Sequence, residues 1–204
     1  MIKLHTWAAT ALMVGVMGTA QAALFDRGDT IYDNSLNISW LKNWNVNGPM
    51  DWATANTWAQ GLNVYGYSDW RLPSALEANG SGPCRGLGCS GSELGYMFYT
   101  NWGAAAGGPY TLGTNTANLG LFFNVMTLGN GAYWTGTPEV LTRHWAFGVT
   151  DGAQSSPLNT AALFAVAVHL GDVSSVPELQ PQLLMLLGLG AGLMLARQRS
   201  RRKL

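Results

Sequence analysis

Apolar and polar residues alternate over residues 24–41, which read LFDRGDTIYDNSLNISWL. A period of two is typical of strands with one buried face. Two turn-forming triplets interrupt the pattern, Arg27-Gly28-Asp29 and Asp33-Asn34-Ser35. The pattern therefore predicts short antiparallel strands joined by tight turns. Arg-Gly-Asp is also an integrin-binding motif, but we interpret it as a turn because three matching residues are weak evidence of binding.

Residues 50–62, MDWATANTWAQGL, follow a helical pattern instead. One face of that helix would carry Trp52, Ala55, Ala59 and Leu62, with Trp58 beside them. The preceding aspartate can accept a hydrogen bond from a free backbone N–H, and a glycine near the end favours termination. The segment therefore predicts an amphipathic helix whose tryptophans are mainly core residues.

Two capping-box patterns, at residues 74–77 and 90–93, predict the starts of further helices. We expect the second helix to begin at Ser92 or Glu93 and to direct Leu94, Met97 and Phe98 inward. Glycine-rich polar stretches at 78–92 and 103–120 predict long loops.

After residue 130 the sequence becomes strand-like. The segments AYWTGTP, HWAFGVTDG and ALFAVAVHLGD predict three strands, the last two joined by a loop that contains Asp151-Gly152. Helices early and antiparallel strands late are typical of an α+β domain.

The N-terminus has the features of a signal peptide. Lys3 precedes a mostly apolar run from Trp7 to Gly18, and the small-x-small triplet Ala20-Gln21-Ala22 follows. This order of regions predicts cleavage between Ala22 and Ala23 by signal peptidase, and hence export. A buried N-terminal helix is the alternative.

The C-terminus is apolar and then basic. Uninterrupted apolar or glycine residues run from Leu183 to Ala196, a helix of about 21 Å, whereas the hydrocarbon core of a bilayer is about 30 Å thick. Counting from Leu179 gives about 27 Å, which a locally thinned bilayer accommodates. The basic residues beyond would stay cytoplasmic.

This tail resembles the PEP-CTERM sorting signal of Gram-negative, often biofilm-forming bacteria. The resemblance implies a transient inner-membrane anchor that an exosortase cuts near the Pro-Glu pair, after which the body reaches the cell surface or the extracellular matrix. The residues that match are Val176, Pro177, Glu178, Arg197, Arg199, Arg201 and Arg202. We therefore expect a signal peptide at 1–22, one domain at 23–175 and a sorting segment with a hydrophobic helix at 176–204.

Removing both ends reveals an acidic body. Six of the eleven basic residues lie outside residues 23–178, whereas all eleven acidic residues lie within them, so this stretch has a net charge near −6. An acidic surface disfavours a nucleic acid as partner, because phosphate binding needs clustered Lys and Arg. It also disfavours strongly anionic glycans.

A second resemblance covers nearly all of residues 24–173. The segments IYDNSLNISWL, MDWATANTWAQGL, GYSDWRLPS, CSGSELGYMFY, YWTGT and LGDV are similar, in this order, to the Lcl C-terminal domain-like family. The resemblance implies a C-type-lectin-like fold, similar to that of formylglycine-generating enzymes. It also implies a surface role, since the founder of the family is an adhesin that binds glycosaminoglycans.

The GYSDWRLPS segment, residues 66–74, concentrates unusual residues in a chain poor in charge. In an extended segment Asp69 and Arg71 would share one face while Trp70 takes the other. We interpret the three as a structural clasp in which Trp70 enters the core and Arg71 fixes loop carbonyls or a carboxylate. The alternative is that Asp69 and Arg71 bind a glycan.

Cys84 and Cys89 are the two cysteines of the chain. Export to an oxidising compartment favours a disulfide between them. A metal-binding or redox pair is the alternative, although no further Cys or His stands at a spacing typical of zinc. His144 and His169 are each expected on a strand, without a catalytic motif around them. We predict no catalytic residues, no metal and no cofactor.

Loop aromatics beside asparagines are the strongest candidates for ligand contacts. Such rings stack on neutral sugars while nearby amides bind hydroxyl groups. We select Tyr99, Trp102, Trp44 and Tyr110 on this basis. The sequence thus predicts a non-enzymatic exported protein that associates with extracellular polysaccharide. An enzyme acting on envelope glycans and a matrix component without a discrete ligand are the alternatives.

Overall fold

The computed structural model describes residues 23–127 and 131–175. The predicted signal peptide and the sorting segment lie outside these ranges, as do Ala22 and all the residues proposed for the sorting signal, so those assignments stay predictions. Within residues 23–127 and 131–175, no helix is long and apolar enough to cross a membrane.

The described chain begins with three short strands, continues with short helices and ends with four strands. The strands are β1 (Leu24–Asp26), β2 (Thr30–Asp33), β3 (Ile38–Leu41), β4 (Ala132–Val140), β5 (Arg143–Gly148), β6 (Gln154–Ser155) and β7 (Val168–Leu170). The α-helices are α1 (Trp52–Gln60), α2 (Glu93–Tyr96) and α3 (Thr116–Leu119). A π-helical turn at Met97–Asn101 continues α2, and a 3₁₀ turn forms at Tyr110–Leu112. The combination of helices with antiparallel sheets confirms the α+β prediction.

The first sheet has the strand order β1-β2-β3-β7, and every neighbouring pair is antiparallel. The predicted N-terminal strands are therefore confirmed. Arg27-Gly28-Asp29 forms the β1–β2 turn, in which the Arg27 N–H donates to the Thr30 carbonyl at 2.9 Å. The Arg27 guanidinium binds the carboxylate of Asp172 with distances of 3.0 and 2.7 Å, so the chain after β7 is held against this turn.

Helix α1 forms where its pattern predicts. The Asp51 carboxylate accepts the Thr54 N–H at 2.8 Å, and Gly61 ends the helix. Ala55 and Ala59 are fully buried, so the predicted apolar face does point into the core. The position of the helix is fixed by Trp52, whose indole N–H donates to the Thr135 carbonyl on β4 at 3.0 Å.

Helix α2 begins as expected, with Ser92 at its N-cap and Leu94, Met97 and Phe98 buried. The helix predicted to start at residues 74–77 is wrong. The Ser74 N–H donates to the Glu93 carboxylate and the Ala75 N–H to the Thr137 hydroxyl, so this stretch is held against α2 and β4. The Glu77 N–H then donates forward to the Ser81 carbonyl at 2.9 Å, so the chain forms a turn instead of continuing as a helix.

The second sheet has the order β4-β5-β6, and the first two of its strands match the prediction. The strand expected over residues 162–172 forms only at its end, as β7, and pairs with β3. The preceding residues cross between the sheets. Leu163 exchanges backbone hydrogen bonds with Met50, and Phe164 donates to the Ala132 carbonyl and accepts from Trp134.

Candidate functional site

Two of the predicted ligand aromatics, Trp44 and Trp102, lie in the core, and this prediction is wrong. Both side chains are fully buried, and their ring centroids are 5.1 Å apart. Trp44 also stacks on Trp40 at 5.5 Å and meets Phe122 edge-on. A ring enclosed by other rings cannot stack on an external sugar, so these two tryptophans stabilise the fold.

Tyr99 and Tyr110 are half-buried, and their phenols hold loops. The Tyr99 hydroxyl accepts the Gly88 N–H at 2.8 Å and donates to the Gly152 carbonyl at 2.7 Å. The Tyr110 hydroxyl donates to the Val125 carbonyl at 3.3 Å. These bonds supply a structural role for both tyrosines, and their contact with a ligand stays a prediction.

The loop that carries Trp44 nevertheless leads to an open groove of about 410 Å³, which we call the asparagine groove. Four segments of chain converge there: the β1–β2 turn, the end of β3 with the loop after it, the segment that follows α1, and the segment after α3 that contains residue 123. Its lining residues are Asp29, Leu41, Asn43, Val46, Leu62, Asn63, Val64, Tyr65 and Phe123.

The burial of Trp44 positions one wall of this groove. The Trp44 N–H donates to the Phe123 carbonyl at 3.1 Å, and the Phe123 N–H donates to the Lys42 carbonyl at 3.1 Å. This short parallel pairing places Asn43 beside Phe123. Because the Trp44 side chain fills the core, its neighbours in the loop are left at the surface.

The polar groups of the groove are only partly satisfied within the chain. The Asn43 side-chain oxygen accepts the Asn45 N–H and the Asn124 amide at 3.1 Å each, and the Asn63 oxygen accepts the Gly66 N–H at 3.1 Å. Among the described residues, no hydrogen bond uses the NH₂ group of Asn43 or Asn63, and none uses the Asp29 carboxylate. The groove thus offers amide donors and a carboxylate acceptor.

Apolar side chains lie beside these polar groups. Phe123 is 49% exposed and Val46 is 51% exposed, large fractions for apolar residues of this size. Tyr65 adds a second ring, and its hydroxyl accepts the Asp29 N–H at 2.9 Å, which fixes the turn that carries Asp29. An exposed ring next to amide and carboxylate groups can stack on the C–H face of a sugar while binding its hydroxyls.

The GYSDWRLPS segment has most of the contacts expected of a clasp. Trp70 is 1% exposed, and its indole N–H donates to the Tyr67 carbonyl at 3.1 Å. Arg71 binds both carboxylate oxygens of Glu93 and also donates to the Leu72 carbonyl at 3.1 Å. Asp69 differs from the expectation. Its backbone is left-handed, with φ at 66°, and its exposed side chain forms no ion pair among the described residues.

A second cleft of about 450 Å³ borders this clasp and is lined by Asn56, Arg71, Leu72, Pro73, Ser74, Gly136 and Thr137. Hydrogen bonding to Glu93 raises the pKa of the Arg71 guanidinium. The positive charge of the cleft is therefore already neutralised within the chain. Its lining also contains no aromatic side chain, so it fits a sugar less well than the asparagine groove does.

The predicted disulfide between Cys84 and Cys89 is confirmed, with the two sulfur atoms 2.10 Å apart. The loop that it closes extends the second sheet, because Gly86 exchanges backbone hydrogen bonds of 2.8 and 2.9 Å with Gln154. In the described part of the chain, no group of three or more His, Cys, Asp and Glu side chains is placed to hold a metal ion.

A buried carboxylate on β2 was missed by the sequence reasoning. Asp33 is fully buried; its Oδ1 accepts the N–H groups of Ser35 and Leu36 at 3.0 and 3.2 Å, and its Oδ2 accepts the Asn101 amide at 2.7 Å. Burial raises its pKa. A raised pKa is a property of many acid catalysts, but a side chain without exposed surface cannot reach a substrate. The Asp-Asn-Ser turn was the one signal that could have identified this capping role.

No protein-family model matches this chain, and neither a curated protein nor a solved structure shows detectable similarity to it.

Proposed function

We propose that this chain is an exported, non-enzymatic surface or matrix protein that binds a neutral polysaccharide in the asparagine groove. The observation that carries the proposal is the position of Phe123, an exposed ring beside amide NH₂ groups and a carboxylate that form no hydrogen bond among the described residues. In this proposal the domain is a C-type-lectin-like member of the Lcl C-terminal domain-like family. Signal peptidase and exosortase process its two ends.

Charge favours a neutral ligand over an anionic one. Asp29 is the charged residue in the lining of the groove, and the nearby Lys42 ammonium is bound to the Asp26 carboxylate at 2.7 Å. An anionic glycan would meet a carboxylate without a free cation beside it, in a body whose net charge is near −6. Neutral hydroxyl groups, by contrast, can donate to the carboxylate and accept from the amides.

The test is a glycan array probed with the purified full chain and including neutral, acidic and sulfated sugars, with and without calcium. Phe123→Ala should weaken binding of the positive glycan about three- to tenfold, the value of one aromatic contact. Leu141→Ala is the matched control, since that apolar side chain is 99% exposed on the β4–β5 hairpin and lies outside the groove.

Each of the other outcomes supports a different function or a different binding position. A blank array from a folded chain would reject the proposal and favour a structural matrix role. Cleavage of the bound glycan would favour an enzyme. Equal losses in the two variants would show that binding occurs outside the asparagine groove.

A further inference from the structure

We infer that the asparagine groove is one end of a longer track along α1 that reaches Trp58, so that the ligand is an internal stretch of a polysaccharide. This inference rests on the proposed function and adds the length of the ligand and a second sugar subsite to it.

Trp58 differs from the other tryptophans of the described chain. Six of the eight are buried: Trp40, Trp44, Trp70, Trp102, Trp134 and Trp145. Trp52 stacks on His144, with ring centroids 3.4 Å apart. Trp58 is half-buried, and among the described residues no ring stacks on it and no hydrogen bond uses its indole N–H. Part of its surface is therefore available to a ligand.

A shallow depression of about 470 Å³ lies against this ring, lined by Ala53, Thr54, Thr57 and Trp58. The small side chain of Ala53 leaves the depression open, and Thr57 contributes an exposed hydroxyl. No lining residue is charged. An accessible indole beside a hydroxyl is suited to stacking one neutral sugar ring.

The depression lies along α1, and the groove begins just beyond the C-terminal end of that helix. Trp58 lines the depression and Leu62 lines the groove, and the two residues are four positions apart. Gly61 ends the helix, and a final turn carries the chain on to Leu62, in which the Gly61 N–H donates to the Thr57 carbonyl at 3.0 Å and the Leu62 N–H to the Ala59 carbonyl at 3.2 Å. Trp58 and Leu62 are thus separated by about one turn of chain, a rise of about 5.4 Å in a helix, which is comparable with the length of one sugar unit.

A polysaccharide that runs from Phe123 past Leu62 to Trp58 would therefore keep its consecutive sugar rings in contact with the protein. The single charged lining residue, Asp29, lies in the groove and not beside Trp58. This distribution fits a chain that is neutral along its length. A site limited to the groove would instead bind a terminal sugar as tightly as a longer chain.

The experiment measures affinity against ligand length by titration calorimetry. The full chain is titrated with cello- and chito-oligosaccharides from disaccharide to hexasaccharide. We expect the affinity to rise with length, and Trp58→Ala to weaken only the long ligands, by about three- to tenfold. Ala53→Glu is a second variant that fills the depression without touching the core, since Ala53 is exposed in the first turn of α1, where an acidic side chain favours the helix. It should cause the same selective loss.

The outcomes separate the two proposals. The track is overturned if the affinity does not depend on ligand length, or if both α1 variants weaken short and long ligands equally. The asparagine groove would then remain as the binding site. Loss of binding in Phe123→Ala with no change in either α1 variant does the same. If no oligosaccharide of either series binds and the glycan array is also blank, the proposed function itself fails.

Discussion

Arg71 and Glu93 form a bidentate ion pair, with distances of 2.8 and 2.6 Å between guanidinium nitrogens and carboxylate oxygens. The same carboxylate accepts the Ser74 N–H at 2.7 Å. The backbone of Arg71 also exchanges hydrogen bonds of 2.9 and 2.8 Å with Val168 on β7. One residue thus joins the start of α2, the irregular segment after α1 and the last strand of the first sheet.

The first prediction is that the geometry of this pair contributes to stability in addition to its charge. Arg71→Lys keeps the positive charge but cannot bind both oxygens at once. We expect Arg71→Lys to lower the free energy of unfolding by about 1 kcal/mol and Arg71→Ala by about 2 kcal/mol. These values are moderate because the Arg71 side chain is 43% exposed and water screens the pair. Urea denaturation measures both. Equal stability of the two variants and the native chain would show that the clasp does not stabilise the fold.

The GYSDWRLPS segment shows what the sequence could predict and what it could not. The roles of Trp70 and Arg71 follow from residue chemistry, since a large apolar ring tends to enter the core and a guanidinium needs acceptors. The identity of the residue that binds Arg71 could not be predicted from the sequence. Glu93 fits a local capping box, but its carboxylate binds a residue 22 positions earlier. Local patterns cannot show which long-range partner competes for a side chain.

Trp44 shows the same limit for the site. Its asparagine neighbours are typical of an exposed loop, and the loop does line a groove. The ring itself turns inward because Trp40, Trp102, Phe122 and Tyr133 pack around it. Whether a loop aromatic is exposed depends on such tertiary neighbours, which a single sequence does not give.

The second prediction concerns the buried carboxylate of Asp33. Because burial raises its pKa, the folded state binds more protons than the unfolded state between the usual pKa and the raised one. The contribution of Asp33 to stability is therefore largest at low pH and decreases as the pH rises from about 4. Asp33→Asn should remove this decrease, as shown by thermal unfolding of both proteins across a pH series.

A matched pair of substitutions tests whether Asp33 stabilises the fold through its hydrogen bonds or through its charge. In Asp33→Asn the amide oxygen can still accept from Ser35 and Leu36. Its NH₂ can donate to the Asn101 Oδ1, which has no partner in the described structure, once the Asn101 amide turns by 180° and presents that oxygen in place of its NH₂. We expect this variant to be within about 1 kcal/mol of the native chain at neutral pH, whereas Asp33→Ala loses about 2–3 kcal/mol through unsatisfied donors. A large loss in Asp33→Asn would show that the charge itself is required.

The third prediction is that the disulfide stabilises the fold without serving the groove. Its loop of six residues, counted inclusively, corresponds to about 2 kcal/mol of chain entropy. Other bonds also hold the loop, including the Gln154 amide, which donates to the Cys84 carbonyl at 2.7 Å. The double variant Cys84→Ser, Cys89→Ser should remain folded, lose about 2 kcal/mol or less in urea denaturation, and bind the array-positive glycan with unchanged affinity. Lost binding in a folded double variant would place the ligand at the loop instead.

The fourth prediction compares two glycines with similar backbone angles, Gly152 with φ at 77° and Gly107 with φ at 80°. Alanine at either position incurs the cost of a left-handed backbone, about 1 kcal/mol. At Gly107 a Cβ would meet nothing within 4 Å, but at Gly152 it would lie 2.6 Å from the Phe98 Cε1 and also clash with the Tyr99 phenol.

Gly107→Ala should therefore lose about 1 kcal/mol in urea denaturation, and Gly152→Ala about 3 kcal/mol, since a clash in a packed core adds roughly 1–3 kcal/mol to the backbone term. The Tyr99 phenol also bonds to Gly88 in the disulfide loop, so the displacement of its ring in Gly152→Ala should raise amide hydrogen exchange at Gly88. Similar losses in the two alanine variants would mean that the Tyr99 side of the core yields to the added methyl group, and that this tyrosine does not fix the loop.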